Sequence, residues 1–146
     1  MRPYARPGRK RLLSTPRFFF FDTGVRNAAA GLPPSRGLLH SEGPGLIEQW
    51  VGLELSYRAA YLGIGHAVSF WRTASGAEVD FVWQSPREDV PIVVKWTQRP
   101  RPSDARHVET FLSEYPKRVR WGLVVCRCDR PEQLSDHVLA IPWDML

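Results

Sequence analysis

The sequence predicts an α/β domain built on a mixed central sheet flanked by helices. Three features predict it: a long stretch with apolar residues at helical spacing, three β-rich stretches separated only by polar turns, and a helical stretch before a fourth strand. That last helix is a crossover, so the fourth strand should run parallel to the third, with a right-handed connection. The first three should pair antiparallel as two successive hairpins. The order is helix, strand, strand, strand, helix, strand.

Each element has a local cause. Residues Arg17–Asp22, with four phenylalanines in a row, predict a short aromatic strand. Thr23–Ala30 predicts a short helix, with Asp22 or Thr23 as N-cap and Gly31 as its stop. Residues 31–45 carry Pro, Gly and Ser and predict a loop. The long helix is expected from about Pro44 to Tyr61, with an apolar stripe of Leu46, Trp50, Leu53 and Tyr57 widened by Ile47, Val51 and Tyr61. Strands follow at Ala67–Thr73, Ala77–Gln84 and Val90–Trp96, broken by Ser75-Gly76 and by Ser85–Asp89. Pro100–Pro102 ends the third, and Ser103 is placed to cap a helix from Asp104 to Tyr115 with Val108, Phe111 and Leu112 inward. Arg118–Cys126 predicts the fourth strand, and Val138–Ile141 an edge strand.

Composition narrows the class. The chain has 146 residues, 43% of them hydrophobic and 12% aromatic, which suits one soluble domain with its own core. No apolar run approaches the roughly 20 residues of a membrane helix. The basic N-terminus lacks the apolar stretch of a secretory signal, so a cytoplasmic protein is expected. Net charge is +5, and the five cations Arg2, Arg6, Arg9, Lys10 and Arg11 account for all of it. Residues 1–14 are therefore expected to be a basic, solvated segment and residues 15–146 a single domain; such a segment can also meet nucleic-acid phosphates. Cys126 and Cys128 lie two apart on a strand, where they share a face but bridge poorly, and buried free thiols are expected.

Three charges fall where apolar residues should be. Asp80 sits between Val79 and Phe81, Lys95 between Val94 and Trp96, and Glu48 beside Ile47 and Trp50. Hairpin pairing can bring Asp80 and Lys95 to one side of the sheet. Burying such charges costs several kcal/mol each, about the scale seen for unpaired ions, unless they are paired or bind an ion. Carboxylates holding Mg²⁺ beside a lysine make a centre for phosphodiester hydrolysis. Structural readings stand beside this one: Asp80 paired with a neighbour such as Arg72, Lys95 reaching solvent from a sheet end, and Glu48 favoured by the dipole of a helix first turn.

The strand pair Glu78-Val-Asp-Phe-Val82 and Pro91-Ile-Val-Val-Lys95, in this element order, resembles the PD-(D/E)XK nuclease-like superfamily. More narrowly, Phe20-Phe-Asp-Thr-Gly-Val-Arg-Asn27, Gly45-Leu-Ile-Glu-Gln-Trp-Val51, Phe70-Trp-Arg-Thr73 and Gly76-Ala-Glu-Val-Asp-Phe81 resemble an uncharacterised domain found at the C-terminus of bacterial and archaeal AAA+-type ATPases. The resemblance implies a restriction-endonuclease-like core, with Glu48, Asp80 and Lys95 as catalytic residues and Glu48 and Asp80 as ligands of Mg²⁺. It also implies partners: nucleic acid, an AAA+-type ATPase module or a second copy of the chain. The family pattern has a carboxylate where this chain has Val93, and Val cannot bind a metal. A relocated ligand would have to come from elsewhere, with Glu109 the first candidate and Glu78 and Asp104 behind it. No Gly-x-x-x-x-Gly-Lys-[Ser/Thr] occurs, so ATP hydrolysis is not expected of this chain. Two functions follow: a nuclease-like domain of weak or lost activity that binds nucleic acid or a partner, or an active Mg²⁺-dependent DNA endonuclease with a moved carboxylate.

Overall fold

The structure, a computed structural model, describes residues 1–4, 15–64 and 67–146. Its elements are β1 (Arg2–Pro3), α1 (Thr23–Ala29), α2 (Leu38–Tyr61), β2 (Val68–Arg72), β3 (Glu78–Gln84), β4 (Asp89–Val94), α3 (Arg106–Glu114), β5 (Gly122–Cys126), β6 (Glu132–Ser135) and β7 (Val138–Pro142). Seven strands among the described residues form one mixed sheet in the order β1-β2-β3-β4-β5-β7-β6. β2, β3 and β4 are antiparallel neighbours, and β5 lies parallel to β4 across the α3 crossover.

The period-2 alternation of the strands separates two apolar layers. Ile92 and Val125 pack with Ile47, Val51 and Leu55 of α2, whereas Val93 and Val124 pack with Val108, Phe111 and Leu112 of α3. The buried ridge of α2 therefore runs through Ile47, Val51, Leu55 and Ala59, at i, i+4 spacing. Tyr57 and Tyr61, expected in the inward stripe, are exposed. The reason is closeness: at Gly52 an added Cβ would meet the Phe81 ring at 2.9 Å, so the face bearing the small residues lies on the sheet.

Other expectations are corrected. α2 begins at Leu38, not at Pro44, and Pro44 lies inside it. The additional turns are tied to α1 by the Arg26–Glu42 ion pair at 2.7 Å. α1 starts as expected, with the Asp22 side chain accepting the Val25 N–H at 2.8 Å, and Gly31 follows at φ 66°. Residues 17–22 are not a strand: two of their carbonyls accept from α2 side chains, Phe20 O from Gln49 Nε2 and Phe21 O from Tyr57 Oη. The helix near Ser103 begins as a 3₁₀ turn at Pro102, and Asp104, not Ser103, satisfies the Arg101 N–H at 2.8 Å. The fourth strand is limited to Gly122–Cys126, and β7 is interior because β6, unanticipated, takes the edge.

Residues 1–4 of the basic segment belong to the fold, while Arg6, Arg9, Lys10 and Arg11 lie outside the described residues. β1 pairs parallel with β2. Tyr4 is buried, and its hydroxyl donates to Asp89 Oδ2 at 2.6 Å. Asp89 is 1% exposed and also accepts from Arg118 Nη2 at 3.3 Å. Cys126 and Cys128 are buried free thiols, and burial pushes Cys126 up to about 12. Among the described residues no helix is long and apolar enough to cross a membrane.

The Tyr4 hydroxyl removes a buried charge's need for water, so its loss should be costly. Tyr4→Phe is expected to lower unfolding free energy by about 2 kcal/mol, the scale for a buried hydrogen bond to a charged group. Urea unfolding measures this, and a change under about 0.5 kcal/mol, the usual surface-substitution range, would show that the N-terminal contact is not formed.

Candidate functional site

Asp80 owes its position to an irregularity in β3. Between Ser69 and Trp71, two steps along β2, β3 advances three residues from Val82 to Val79. One extra residue is therefore accommodated at Asp80-Phe81, a β-bulge. The β3–β4 ladder ends at Phe81 opposite Ile92, and the Asp80 carboxylate reaches into the gap to accept the Val94 N–H at 2.8 Å. A ladder donor that would have lost its partner is thus satisfied by a side chain.

Around this carboxylate the chain gathers two more acids and two arginines. Glu48 projects from α2, Glu78 from the start of β3 and Arg72 from the end of β2. The fifth member, Arg17, comes from the segment before α1. Its Nη1 is 3.0 Å from Glu48 Oε1 and 3.7 Å from Asp80 Oδ1, and its Nη2 contacts Glu78 Oε1. The guanidinium also lies over the Phe70 ring, 5.1 Å from its centroid. Reciprocal bonds fix its backbone: the Met1 amine donates to Arg17 O at 2.7 Å, and Arg17 N–H donates to Met1 O at 3.1 Å. Arg72 holds Glu78 through both oxygens at 2.8 Å.

Of the residues expected to form a site, Glu48 and Asp80 are therefore brought together. Lys95 is half-buried one residue beyond β4, near enough for its charge to favour ionised Asp80. Glu109 is not in the group, since its carboxylate accepts from Ser135 Oγ of β6, at the opposite edge of the sheet. Asp104 caps the turn before α3. Val93 is 3% exposed and packs with the α3 layer. The ion pair considered for Asp80 with Arg72 is made instead by Glu78. Sequence reasoning missed Arg17 and His107, whose Nδ1 meets the Glu78 backbone at 3.1 Å. No local signal marks Arg17, since its neighbour Phe18 is 80% exposed and the acids it meets lie far along the chain.

Burial dominates the electrostatics. The Asp80 carboxyl is raised above its ordinary value by desolvation, against the Val94 N–H, Arg17 and Lys95. Glu48 is raised by desolvation first and by the Asp80 charge second, against Arg17 and Arg72. The ion pairs and the raised values are compatible: Arg17 is shared among three acids, and its contact with Asp80 is loose. His107 is lowered by desolvation and by the charges of Arg106 and Lys95.

Among the described residues no group of three or more His, Cys, Asp or Glu is arranged to hold a metal ion. Mg²⁺ wants several oxygens in near-octahedral array. Here the three carboxylates already face guanidinium groups, and the Val93 position offers methyl groups packed in the core.

The fold and the cluster define a mixed α/β domain with a charge centre where β3 and β4 part. A family described as a domain of unknown function, DUF4143, matches residues 45–146, and the chain belongs to that family. The matched stretch includes Glu48, Asp80, Val93 and Lys95 but not Arg17. No curated protein and no solved structure matches the chain.

The raised carboxyls give a test with a definite sign. Folded-state values above the unfolded ones mean that both groups favour folding below the ordinary carboxylate range, and that this contribution is lost as pH rises through the raised values. Asp80→Asn removes the Asp80 part of that loss while retaining an acceptor for Val94. Relative to the native chain it should be more favourable at about pH 7 than at about pH 4, either side of the carboxylate range. Thermal unfolding at both pH values checks it; an equal difference at both, or one favouring the variant more in acid, would contradict it.

Proposed function

We propose that this is a nuclease-like domain whose catalytic centre has become an internally neutralised charge cluster. It acts by binding nucleic acid or a partner, such as an ATPase module, and not by efficient cleavage of phosphodiesters. The order α2, β2, β3, β4, α3, β5, with the four strands adjacent in that order, supports a restriction-endonuclease-like core. The frequent occurrence of the family with AAA ATPases supports the ATPase module as a partner.

The observation that carries the reading is the position of Arg17. Its guanidinium contacts Glu48 and Glu78 and lies 3.7 Å from Asp80, so the positive charge facing these acids comes from a side chain. A guanidinium balances charge and donates hydrogen bonds, but it has no open coordination position at which a water could lose a proton. A valine at 93 and a cation at 17 have the same effect: less attraction for Mg²⁺ and less need of it. The alternative of an active endonuclease with a moved carboxylate would need Glu109 or Glu78. Both are engaged, by Ser135 and by Arg17 with Arg72.

The test combines metal binding with cleavage. The native chain should cut neither single- nor double-stranded DNA in Mg²⁺ or Mn²⁺. Arg17→Met should bind Mn²⁺ about tenfold or more tightly than the native chain, in the range by which neighbours of metal ligands alter affinity, and show a larger Mn²⁺-dependent rise in Tm. Val93→Glu should cost about 3 kcal/mol through burial of a carboxyl, with partial recovery in Mn²⁺. Strong native cleavage abolished by Asp80→Ala would overturn the proposal, and so would an Arg17→Met variant with unaltered Mn²⁺ binding.

A further inference from the structure

Two cavities, neither lined by Glu48, Glu78 or Asp80, share Trp96 as a common wall. One, about 460 Å³, is lined by Lys95, Thr97, Arg99, Arg101, Ser103 and Asp104. The other, about 650 Å³, is lined by Asn27, Arg36, Leu39, Trp50, Arg127 and Trp143, among others. None of Arg36, Lys95, Arg99, Arg101 and Arg127 forms an ion pair among the described residues. The one acid on these walls, Asp104, is outnumbered by those five cations. This is the reverse of the carboxylate centre, where three acids share two arginines. An unmatched cationic groove selects a polyanion.

The aromatic side narrows the choice of polyanion. Trp96 lies flat on α2, where a Cβ at Gly43 would come within 2.4 Å of its ring, and the Arg127 guanidinium lies 4.1 Å from its ring centroid. Trp143, 42% exposed, stands edge-to-face with Trp50 at 5.0 Å. With Trp96 held between α2 and Arg127, the outer face of that guanidinium and the exposed Trp143 indole lie beside a row of cations, the kind of surface on which unpaired bases stack while the backbone is held electrostatically. A duplex keeps its bases stacked inside and cannot offer a ring to such a cavity; an acidic peptide would answer the cations and leave the indoles unused.

We infer that this face binds single-stranded nucleic acid, with phosphates along Lys95, Arg99 and Arg101 and unpaired bases stacked on the outer face of Arg127 and on Trp143. The inference rests on the reading that the domain binds and does not cut, and it names the ligand and the surface. Lys95 stands at the junction of the two regions, so a strand held here runs toward the neutralised carboxylates.

The experiment is fluorescence anisotropy with a labelled oligo-dT of about 20 nucleotides, longer than common single-strand site sizes, and with a hairpin duplex of equal length. Affinities are measured from about 50 to about 200 mM salt. Oligo-dT should bind about tenfold or more tightly than the duplex. Trp143→Ala should weaken oligo-dT binding about tenfold and leave its salt slope unchanged. Arg99→Gln with Arg101→Gln should weaken binding and reduce the salt slope by about 1–2. Thermal melts establish that each variant is folded. Equal or tighter duplex binding would overturn the inference, as would native-like binding by these variants together with loss on changing Arg6, Arg9, Lys10 and Arg11 to Gln. Absence of oligo-dT binding in a chain that also fails to cleave would remove this inference alone; metal-dependent cleavage would instead remove the reading beneath it.

Discussion

Carboxylates cannot be crowded at the end of a buried sheet without a counter-charge, and Arg17 meets much of that requirement. Glu48, Glu78 and Asp80 arrive from two elements, and burial raises two of them above their ordinary values even with the guanidinium in place. The geometry around Arg17 follows from that need. Its backbone is fixed by Met1, its plane rests on Phe70, and its segment is fastened to α2. β3 adds its own accommodation, a bulge that sends Asp80 into the parting of two strands, where a free N–H awaits it. The same carboxylate thus completes the backbone hydrogen bonding and contributes to the charge problem.

Most of the sheet was legible because its signals are local. β-rich apolar stretches identified β2, β3 and β4, turn residues identified the hairpins, and the crossover rule placed β5 parallel to β4. What failed depended on partners distant in sequence. Four phenylalanines have strand propensity, yet residues 17–22 lie across α2 because Gln49 and Tyr57 supply hydrogen bonds there. The inward face of α2 was misjudged because bulk was weighed over closeness, and Gly43 and Gly52 let the sheet side approach where larger residues would not. At the site, the meeting of Asp80 and Glu48 was foreseeable from misplaced charges. The role of Arg17 was not, since nothing within a few residues of it is acidic except Asp22, which caps α1 instead.

Electrostatic matching divides the molecule near Lys95. On one side acids and arginines are closely balanced around Asp80. On the other, Arg99, Arg101, Arg127 and Arg36 stand without carboxylate partners among the described residues, beside three tryptophans. Arginines already engaged by acids have little left to offer a polyanion, whereas unpaired cations gain by meeting one. Between the two regions Val93 is a packing residue of the α3 layer.

The attachment of the Arg17 segment has a kinetic consequence. Its described backbone bonds run to Met1, Gln49 and Tyr57, with none in a strand ladder. Such a segment can lift away in a sub-global opening that leaves the seven-stranded ladder intact, at a free-energy cost below that of complete unfolding. Amide hydrogen exchange would then occur in two tiers, earlier for residues 17–21 than for β4 and β5. In the opened minority the acids would be transiently without their guanidinium, so the charge state of the cluster is coupled to a local equilibrium and is not fixed once by folding.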